Sequence, residues 1–170
     1  MRLLSMPVRS HRLRIRVANL VEMRGAFMVR QNRPLTRWTG VLRFDALRQF
    51  LIASTPLSDE VARTMVERYG PAAHPSDCVT LRCEEIPSLV EVVRHSDAVL
   101  IAIRAAAPDL VELAVKPAMS ATARFGIVTL ARRAEPPALP IVRKLVTELM
   151  RDQPTESEES AVARRIPTPP

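Results

Sequence analysis

The sequence predicts an α/β fold, in which helices cover a mostly parallel sheet. Between residues 51 and 103, short apolar runs alternate with segments of helical periodicity, and the connections are only a few residues long. That order is typical of parallel strands joined by right-handed crossovers. Residues 98–103 (AVLIAI) form an uninterrupted apolar run of the length expected for a parallel strand that is covered on both faces. With 170 residues, 47% of them hydrophobic, the chain can bury a core of its own.

The first fifty residues predict strands, a turn and one short helix. Residues 11–17 alternate His or Arg with Leu, Ile and Val, which indicates a half-exposed strand. Residues 26–29 form a second apolar run, and Pro34 ends the extended segment because proline has no amide proton to donate to a sheet. Residues 45–50 then predict a single helical turn, and residues 51–53 predict a short strand.

Two helices with clear terminal signals follow. Ser58 is a good N-cap for a helix whose first turn carries two acidic residues, and Gly70 predicts where that helix ends. Residues 71–77 predict a polar loop. The next helix has Pro87 in its first turn and runs to about Arg94.

Cys78 and Cys83 delimit a predicted strand between these two helices. Their odd spacing points the two thiols to opposite faces of a strand, which makes a disulfide between them unfavourable. We therefore expect two reduced cysteines.

The last third predicts two strands, a helix and a tail. Residues 113–115 and 125–130 are strand-like, and two prolines precede an amphipathic helix that ends near residue 150. Residues 152–170 contain almost nothing to bury, which predicts disorder. The apolar stripe of the helix consists of Ala138, Ile141, Val142, Leu145, Val146 and Leu149.

Composition disfavours several classes of protein. No apolar run reaches membrane-spanning length, and residues 1–10 lack the apolar block of a secretion signal, so we expect a cytoplasmic protein without a membrane partner. His11, His74 and His95 are far apart and no CxxC motif occurs, which argues against a metal site. Four glycines and no GxSxG motif leave no phosphate-binding loop or nucleophile elbow, so the sequence predicts neither a cofactor nor an enzyme.

The positive charge is concentrated in the first fifty residues. They contain eleven arginines and two acidic residues, a net charge of +9, which leaves −2 for the remainder of the chain's total of +7. Such a segment is typical of a nucleic-acid contact, because basic side chains displace counterions from phosphates. A solvated basic segment, or a biased codon composition rich in Arg and Ala, explains the same charge.

Residues 27–37 (FMVRQNRPLTR) run from an apolar strand into an arginine and then a Pro-Leu turn. This segment resembles the junction at which the effector-binding region of LysR-type transcriptional regulators crosses from its first subdomain to its second. Residues 92–101 (VVRHSDAVLI) resemble the helix, turn and buried strand of that family, and residues 124–150 resemble its return strand and closing helix. The resemblance covers roughly residues 23–151 and rests on pattern and spacing.

The resemblance implies a type II periplasmic-binding-protein-like architecture, with one complete Rossmann-like lobe and part of a second lobe around an effector cleft. Residues 36–110 would form the complete second lobe, and residues 26–35 the crossover that enters it. Residues 111–151 would supply the other crossover and the returning strand and helix of the first lobe. Residues 1–25 would be a basic segment and a partial first lobe. The winged helix-turn-helix and the opening of the first lobe have no counterpart in the sequence, so the apolar stripe of the last helix is expected to lack its usual partner.

The implied function is small-molecule sensing. The regulator would form a homo-oligomer and would contact DNA only through the domain that this sequence lacks. Three other interpretations stay open: a decayed reading frame without function, a solute-binding protein of the transport type, and a small basic nucleic-acid-binding protein.

Candidate effector-binding residues follow from the fold class. In open α/β sheets, small molecules bind beyond the carboxyl ends of the strands, where loops lead into helix N-termini. Two such positions occur, after residues 51–53 and after residues 78–83, and the residues just past the buried strand could supply a third wall. The predicted effector-binding residues are Ser54, Thr55, Ser58, Glu84, Glu85, Ser88, Ile103 and Arg104.

Each candidate also has a structural explanation. Ser58 suits a helix cap, and Thr55 suits the turn before a proline. Glu84 and Glu85 suit the first turn of a helix; if they faced the cleft they would disfavour a carboxylate effector. Arg104 could clamp an acid or simply lie at the surface. The charge of the effector therefore stays open.

Overall fold

The computed structural model of the protein describes residues 15–131 and 133–150. The predicted tail, the first four residues of the predicted strand 11–17 and most of the basic N-terminal segment lie outside the described residues. Short 3₁₀ turns occupy Pro34–Arg37, Pro71–Ala73 and Arg104–Ala106. The strands and helices, in chain order, are β1 (Ile15–Val29), α1 (Phe44–Leu47), β2 (Ile52–Ser54), α2 (Asp59–Tyr69), α3 (Pro75–Cys78), β3 (Leu81–Arg82), α4 (Ile86–Arg94), β4 (Val99–Ile103), β5 (Val111–Glu112), β6 (Thr122–Leu130) and α5 (Leu139–Leu149).

A wound sheet occupies the middle of the chain, as the sequence predicts. β2 pairs in parallel with β3 on one side and with β4 on the other, and the sheet order is β3-β2-β4-β1-β5. β1 runs antiparallel to β4, with Gly25 opposite Ile103. The prediction of an α/β fold is confirmed, although β4 has a parallel neighbour on one side only.

β1 is far longer than the two short runs that the sequence predicts in its place. Residues 25–28 of β1 pair with β4, and Met28 and Val29 also pair with β5. The earlier part, from Ile15 to Arg24, pairs with β6 in a second antiparallel ladder that contains one irregularity between Ala18 and Val21. One strand thus connects the wound sheet to a two-stranded ribbon.

The core lies on both faces of the wound sheet because successive side chains of β4 point in opposite directions. Val99 and Ile101 join a cluster with Phe27, Phe44 and Met65, which lies under α1, α2 and α3. Leu100 faces the other side, where it joins the buried residues of α4: Leu89, Val90 and Val93. β4 therefore has the two-sided burial that its unbroken apolar sequence predicts.

The signals for α2 and α4 act as predicted. The Ser58 hydroxyl accepts a hydrogen bond from the Val61 amide at 3.3 Å, and α2 ends at Gly70, whose φ of 92° favours glycine. α4 contains Pro87 in its first turn and ends at Arg94.

The predicted strand 78–83 is largely wrong. Cys78 instead ends the short helix α3, and the strand consists only of Leu81–Arg82. Local capping explains the difference: Pro75 occupies the first helical position, and the His74 ring accepts a hydrogen bond from the Ser76 amide at 3.3 Å. The polar loop predicted for residues 71–77 contains a 3₁₀ turn and most of this helix.

The strand predicted at residues 113–115 lies two residues earlier, at Val111–Glu112. The Leu113 amide still donates to the Phe27 carbonyl at 2.8 Å, and Val115 forms an isolated bridge with Leu42. After Leu113 the chain therefore stops pairing with β1 and contacts the loop before α1 instead.

α5 forms where the amphipathic pattern predicts it, and most of its apolar stripe faces solvent in the described structure. Ile141 is 64% exposed and Leu149 is 77% exposed, and Val146 is the half-buried member of the stripe. The Asn19 side chain on β1 donates to the Thr147 hydroxyl at 3.3 Å, which attaches α5 to the ribbon. No helix among the described residues is both long enough and apolar enough to cross a bilayer.

Replacing Leu100 by alanine tests the central position of β4. Leu100 is fully buried, so Leu100→Ala should lower the free energy of unfolding by about 3 kcal/mol through lost burial and a residual cavity. Urea denaturation measures the change. Leu20→Ala, at a site that is 65% exposed, is the matched control and should change it by less than about 0.5 kcal/mol. Equal losses for the two variants would contradict the position given to β4.

Tyr69 should make stability fall at alkaline pH. Its ring stacks on Phe44 with 5.0 Å between centroids, its hydroxyl has no hydrogen-bond partner among the described residues, and burial raises its pKa from 10.0 to about 12. The unfolded chain loses the phenolic proton first, so the free energy of unfolding should decrease as the pH rises from 10.0 towards about 12.

Tyr69 is the only tyrosine in the chain, so its phenolate absorbance can be titrated without ambiguity. Tyr69→Phe keeps the stacked ring and should flatten the alkaline decrease without lowering stability at neutral pH, because it removes an unpaired buried hydroxyl. A phenolate midpoint at the unperturbed value in the folded protein would be inconsistent with this burial.

Candidate functional site

The carboxyl ends of three parallel strands meet at one edge of the sheet. Ser54, the last residue of β2, is paired with Arg82 at the end of β3 and with Ile101 near the end of β4. The predicted loops after β2, β3 and β4 therefore open on the same edge. β1 brings Gly25 to this edge as well, opposite Ile103.

Ser54 has a structural role at this edge. Its side chain is fully buried, and its hydroxyl donates to the Ile101 carbonyl at 2.9 Å, which ties β2 to β4. A ligand would have to displace that hydrogen bond in order to use the hydroxyl.

Thr55 and Ser58 lie where β2 leads into α2. The Ser58 hydroxyl caps α2, which confirms the interpretation of Ser58 as a helix cap. Thr55 is half-buried, and its hydroxyl makes no hydrogen bond to any part of the chain that the structure describes. Thr55 therefore offers an uncommitted polar group at the centre of the edge.

Glu84, Glu85 and Ser88 are exposed residues beyond β3. The Ser88 hydroxyl donates to the Glu85 carboxylate at 3.3 Å, so these two side chains interact with each other. Because β3 is the outer strand and β2 separates it from β4, the structure does not bring this group together with Ile103 and Arg104.

Arg104 contributes to an ion cluster that we call the hinge cluster: Arg24, Arg104 and Glu112. Arg24 on β1 holds the Glu112 carboxylate with two hydrogen bonds of 2.5 and 2.8 Å, and the Arg104 Nε lies 3.5 Å from the same carboxylate. A second guanidinium nitrogen of Arg104 donates to the Ala107 carbonyl at 2.8 Å. All three ionic side chains are less than a third exposed.

Sequence reasoning selected Arg104 and missed its two partners. Arg24 and Glu112 are 88 residues apart, and neither belongs to a local motif. The available signal was indirect: both residues lie in or beside the segments that the family resemblance makes into crossovers, and such segments are neighbours in that architecture.

The same crossing point has little room for a side chain at Gly25. A Cβ atom on Gly25 would lie 2.9 Å from the Met119 sulfur and 3.2 Å from the Ala121 carbonyl oxygen. The Gly25 amide donates to that carbonyl at 2.8 Å. The chain after β5 thus packs directly on the β1 backbone beside the strand edge.

A wide, open depression of about 860 Å³ lies along α4. Of the predicted site residues only Ser88 lines it, and its lining also includes Ile86, Val90 and Ala106. Arg94 at its rim is held by Asp109 at 2.8 Å; this hydrogen bond raises the pKa of Arg94 and lowers that of Asp109. The positive charge of Arg94 is therefore already paired with the Asp109 carboxylate.

The two cysteines are free thiols with different surroundings. Cys78 is buried, and burial raises its pKa, which disfavours the reactive thiolate. Cys83 is half-buried. Across residues 15–131 and 133–150, no three His, Cys, Asp or Glu side chains are grouped so that they could hold a metal ion.

Comparison with solved structures identifies proteins of the same fold. A protein from Vibrio parahaemolyticus named as a transcriptional regulator is 17% identical, with a TM-score of 0.54, over 94% of this chain and 69% of that one. The C-terminal domain of a protein from Rhodococcus sp. RHA1, named as a LysR-family transcriptional regulator, is 12% identical, with a TM-score of 0.53, over 78% and 67%. The effector-binding domain of QuiR, solved with shikimate, is 12% identical, with a TM-score of 0.48, over 84% and 66%.

No protein-family model matches the chain, and no curated protein does. At these identities the structural similarity establishes the fold. The chain has the α/β, type II periplasmic-binding-protein-like fold of LysR effector-binding domains, and it spans about two thirds of the solved chains.

Removing the charge of Glu112 should destabilise the protein. Glu112→Gln keeps the shape of the side chain but removes the negative charge that Arg24 and Arg104 share, which should cost about 2 kcal/mol in the free energy of unfolding. Denaturation in urea measures the loss. Glu67→Gln removes an exposed carboxylate 3.8 Å from Arg63 and should cost less than about 0.5 kcal/mol. A cost no larger than that of Glu67→Gln would show that the hinge cluster adds nothing to stability.

Proposed function

We propose that this chain is the effector-sensing part of a LysR-type transcriptional regulator and that it binds a small organic anion at the strand edge. One observation carries the proposal: the carboxyl ends of β2 and β4 open beside the two segments that cross between the wound sheet and the ribbon. A ligand at this edge contacts both parts of the chain. The shared fold with LysR effector-binding domains supports this assignment.

Different residues would have different roles in binding. Thr55 would donate or accept a hydrogen bond through its uncommitted hydroxyl, and the start of α2 at Ser58 would face an anionic group. Ile103 would supply an apolar wall. Ser54 and Arg104 would position the edge, because their polar atoms already bind Ile101, Ala107 and Glu112.

The charge of the ligand is proposed from the hinge cluster. Two of its three ionic side chains are guanidinium groups, and the cluster is partly shielded from water, which would favour an anionic group beside it. Glu84, Glu85 and Ser88 lie on the far side of β2 and would interact only with a ligand large enough to extend past it.

Sensing would follow from linkage between the ligand and the arrangement of the two crossing segments. A ligand that contacts the strand edge and the crossovers stabilises the arrangement that it fits, and it changes the population of the others. In a regulator, a separate DNA-binding domain would read out that shift. No catalytic step is part of this proposal.

Thr55→Val tests the proposed site. Screening small mono- and dicarboxylic acids by thermal unfolding should find ligands that raise the midpoint, and Thr55→Val should weaken their binding roughly five-fold, the equivalent of about 1 kcal/mol for one lost hydrogen bond. Isothermal titration measures the affinity directly. Thr39→Val is the matched control, since Thr39 is exposed and also makes no hydrogen bond within the described residues.

Two results would count against the proposal. One is a screen in which no small acid raises the midpoint while amines or neutral sugars do. The other is an affinity that Thr55→Val leaves unchanged, or that Thr39→Val lowers by the same factor.

A further inference from the structure

We propose that the segment before and around α1 is a binding surface for single-stranded nucleic acid. We call it the basic loop surface, and it is separate from the strand-edge site. It consists of Arg37, Trp38, Val41, Arg43, Arg48 and Lys116.

The first observation is that the positive charges of this segment are uncompensated. Residues 37–48 contain three arginines and a single acidic residue, Asp45. All three guanidinium groups belong to exposed residues, and none forms an ion pair or a side-chain hydrogen bond within the described residues. Phosphates can therefore reach these cations without first displacing an internal partner.

The arginines just before this segment behave differently. Arg30 donates to the Arg94 carbonyl at 2.8 Å, and Arg33 lies 3.0 Å from the Asp97 carboxylate. Those two side chains fix the crossover to the end of α4. Between residues 30 and 48, the arginines without an internal partner among the described residues are therefore those at positions 37, 43 and 48.

Tertiary structure adds a fourth cation. The Lys116 amide donates to the Leu42 carbonyl at 2.7 Å, and Leu42 pairs with Val115 in an isolated bridge. Lys116 therefore lies beside Arg43, although the two residues are far apart in sequence. Arg43 and Arg48 are the residues at the two ends of α1.

The second observation is an exposed aromatic side chain in the same segment. Trp38 is the only tryptophan in the chain, and it is 45% exposed, next to Val41, which is 62% exposed. An indole ring in water offers a face on which an unpaired base can stack, while the surrounding cations hold the backbone. A duplex conceals the faces of its bases, so a ring among cations favours a single strand.

An anionic membrane is the other large polyanion to consider. Stable membrane attachment needs a continuous apolar face, usually that of an amphipathic helix. Here the exposed apolar side chains between residues 37 and 48 are Trp38 and Val41, both on a loop, and α1 has only one turn. The balance of four cations to two apolar groups favours nucleic acid.

Trp38 fluorescence provides a direct measurement. Titration with oligo(dT) and oligo(U) of about 15 nucleotides, at about 50 mM salt, should quench the emission. The logarithm of the affinity should fall with the logarithm of the salt concentration, with a slope of about −3 for four phosphate contacts. A duplex of the same length should bind more weakly.

Two variants separate charge from stacking. Arg43→Gln/Lys116→Gln should reduce the slope to about −1.5 and weaken binding roughly ten-fold at low salt. Trp38→Ala should weaken binding roughly ten-fold with little change in slope, whereas Trp38→Phe should retain most of the affinity; labelled oligonucleotide anisotropy measures both. Circular dichroism melts check that each variant folds.

Arg133→Gln/Lys144→Gln is the matched control, because it removes the same charge from exposed positions beyond β6 and on α5. It should change the affinity by less than about two-fold. The proposal would be overturned if the protein did not bind oligonucleotides at low salt, if the two double variants had equal effects, or if Trp38→Ala left the affinity unchanged. Tighter binding of the duplex than of the single strand would also overturn it. So would binding of phosphatidylserine vesicles in preference to oligonucleotides.

Discussion

The structure depends on one strand that is hydrogen-bonded to two different sheets. β1 is 15 residues long; its last five residues lie in the wound sheet, and its earlier residues pair with β6. Because a strand is stiff and its side chains alternate, the pairing at one end constrains which face the other end presents. Gly25 marks the transition: its amide donates to the Ala121 carbonyl at 2.8 Å, and a Cβ atom there would lie only 3.2 Å from that oxygen. The hinge cluster crosses at the same level and holds β1 to β5 through charge.

In this arrangement the side chains of the wound sheet are much more deeply buried than those of the ribbon. β4 and the end of β1 are covered on both faces, whereas Ile15, Val17, Val128 and Leu130, which are cross-strand neighbours on the ribbon, are all exposed. α5 lies beside the ribbon, but most of its own apolar stripe points outward. Burial of apolar surface therefore stabilises the wound sheet far more than the ribbon. Local opening should begin in the ribbon and α5, where few buried contacts would be lost.

The elements that could be predicted from the sequence are those specified by neighbouring residues. Ser58 and Gly70 define α2 through its caps, and the apolar run of β4 needs no distant partner to be recognised. The prediction of a strand beginning at Cys78 was wrong because His74 and Pro75 start a helix there. Their capping signal is not part of the apolar pattern from which the strand was predicted. The length of β1 depends on its pairing with β6, and Arg24 of the hinge cluster binds a carboxylate 88 positions away, so no local pattern could predict either.

The arginines show why composition alone could not distinguish structure from function in this chain. Arg24 lies in a partly buried cluster in which Glu112 fixes its geometry. Arg33, nine residues later, forms an ion pair with Asp97, and Arg43, ten residues further on, extends into solvent without a partner among the described residues. All three belong to the same basic segment of the sequence, and only the carboxylates that folding brings near them separate their roles. A count of arginines and lysines can therefore indicate a surface for binding polyanions only after the residues that pair with internal carboxylates have been left out of the count.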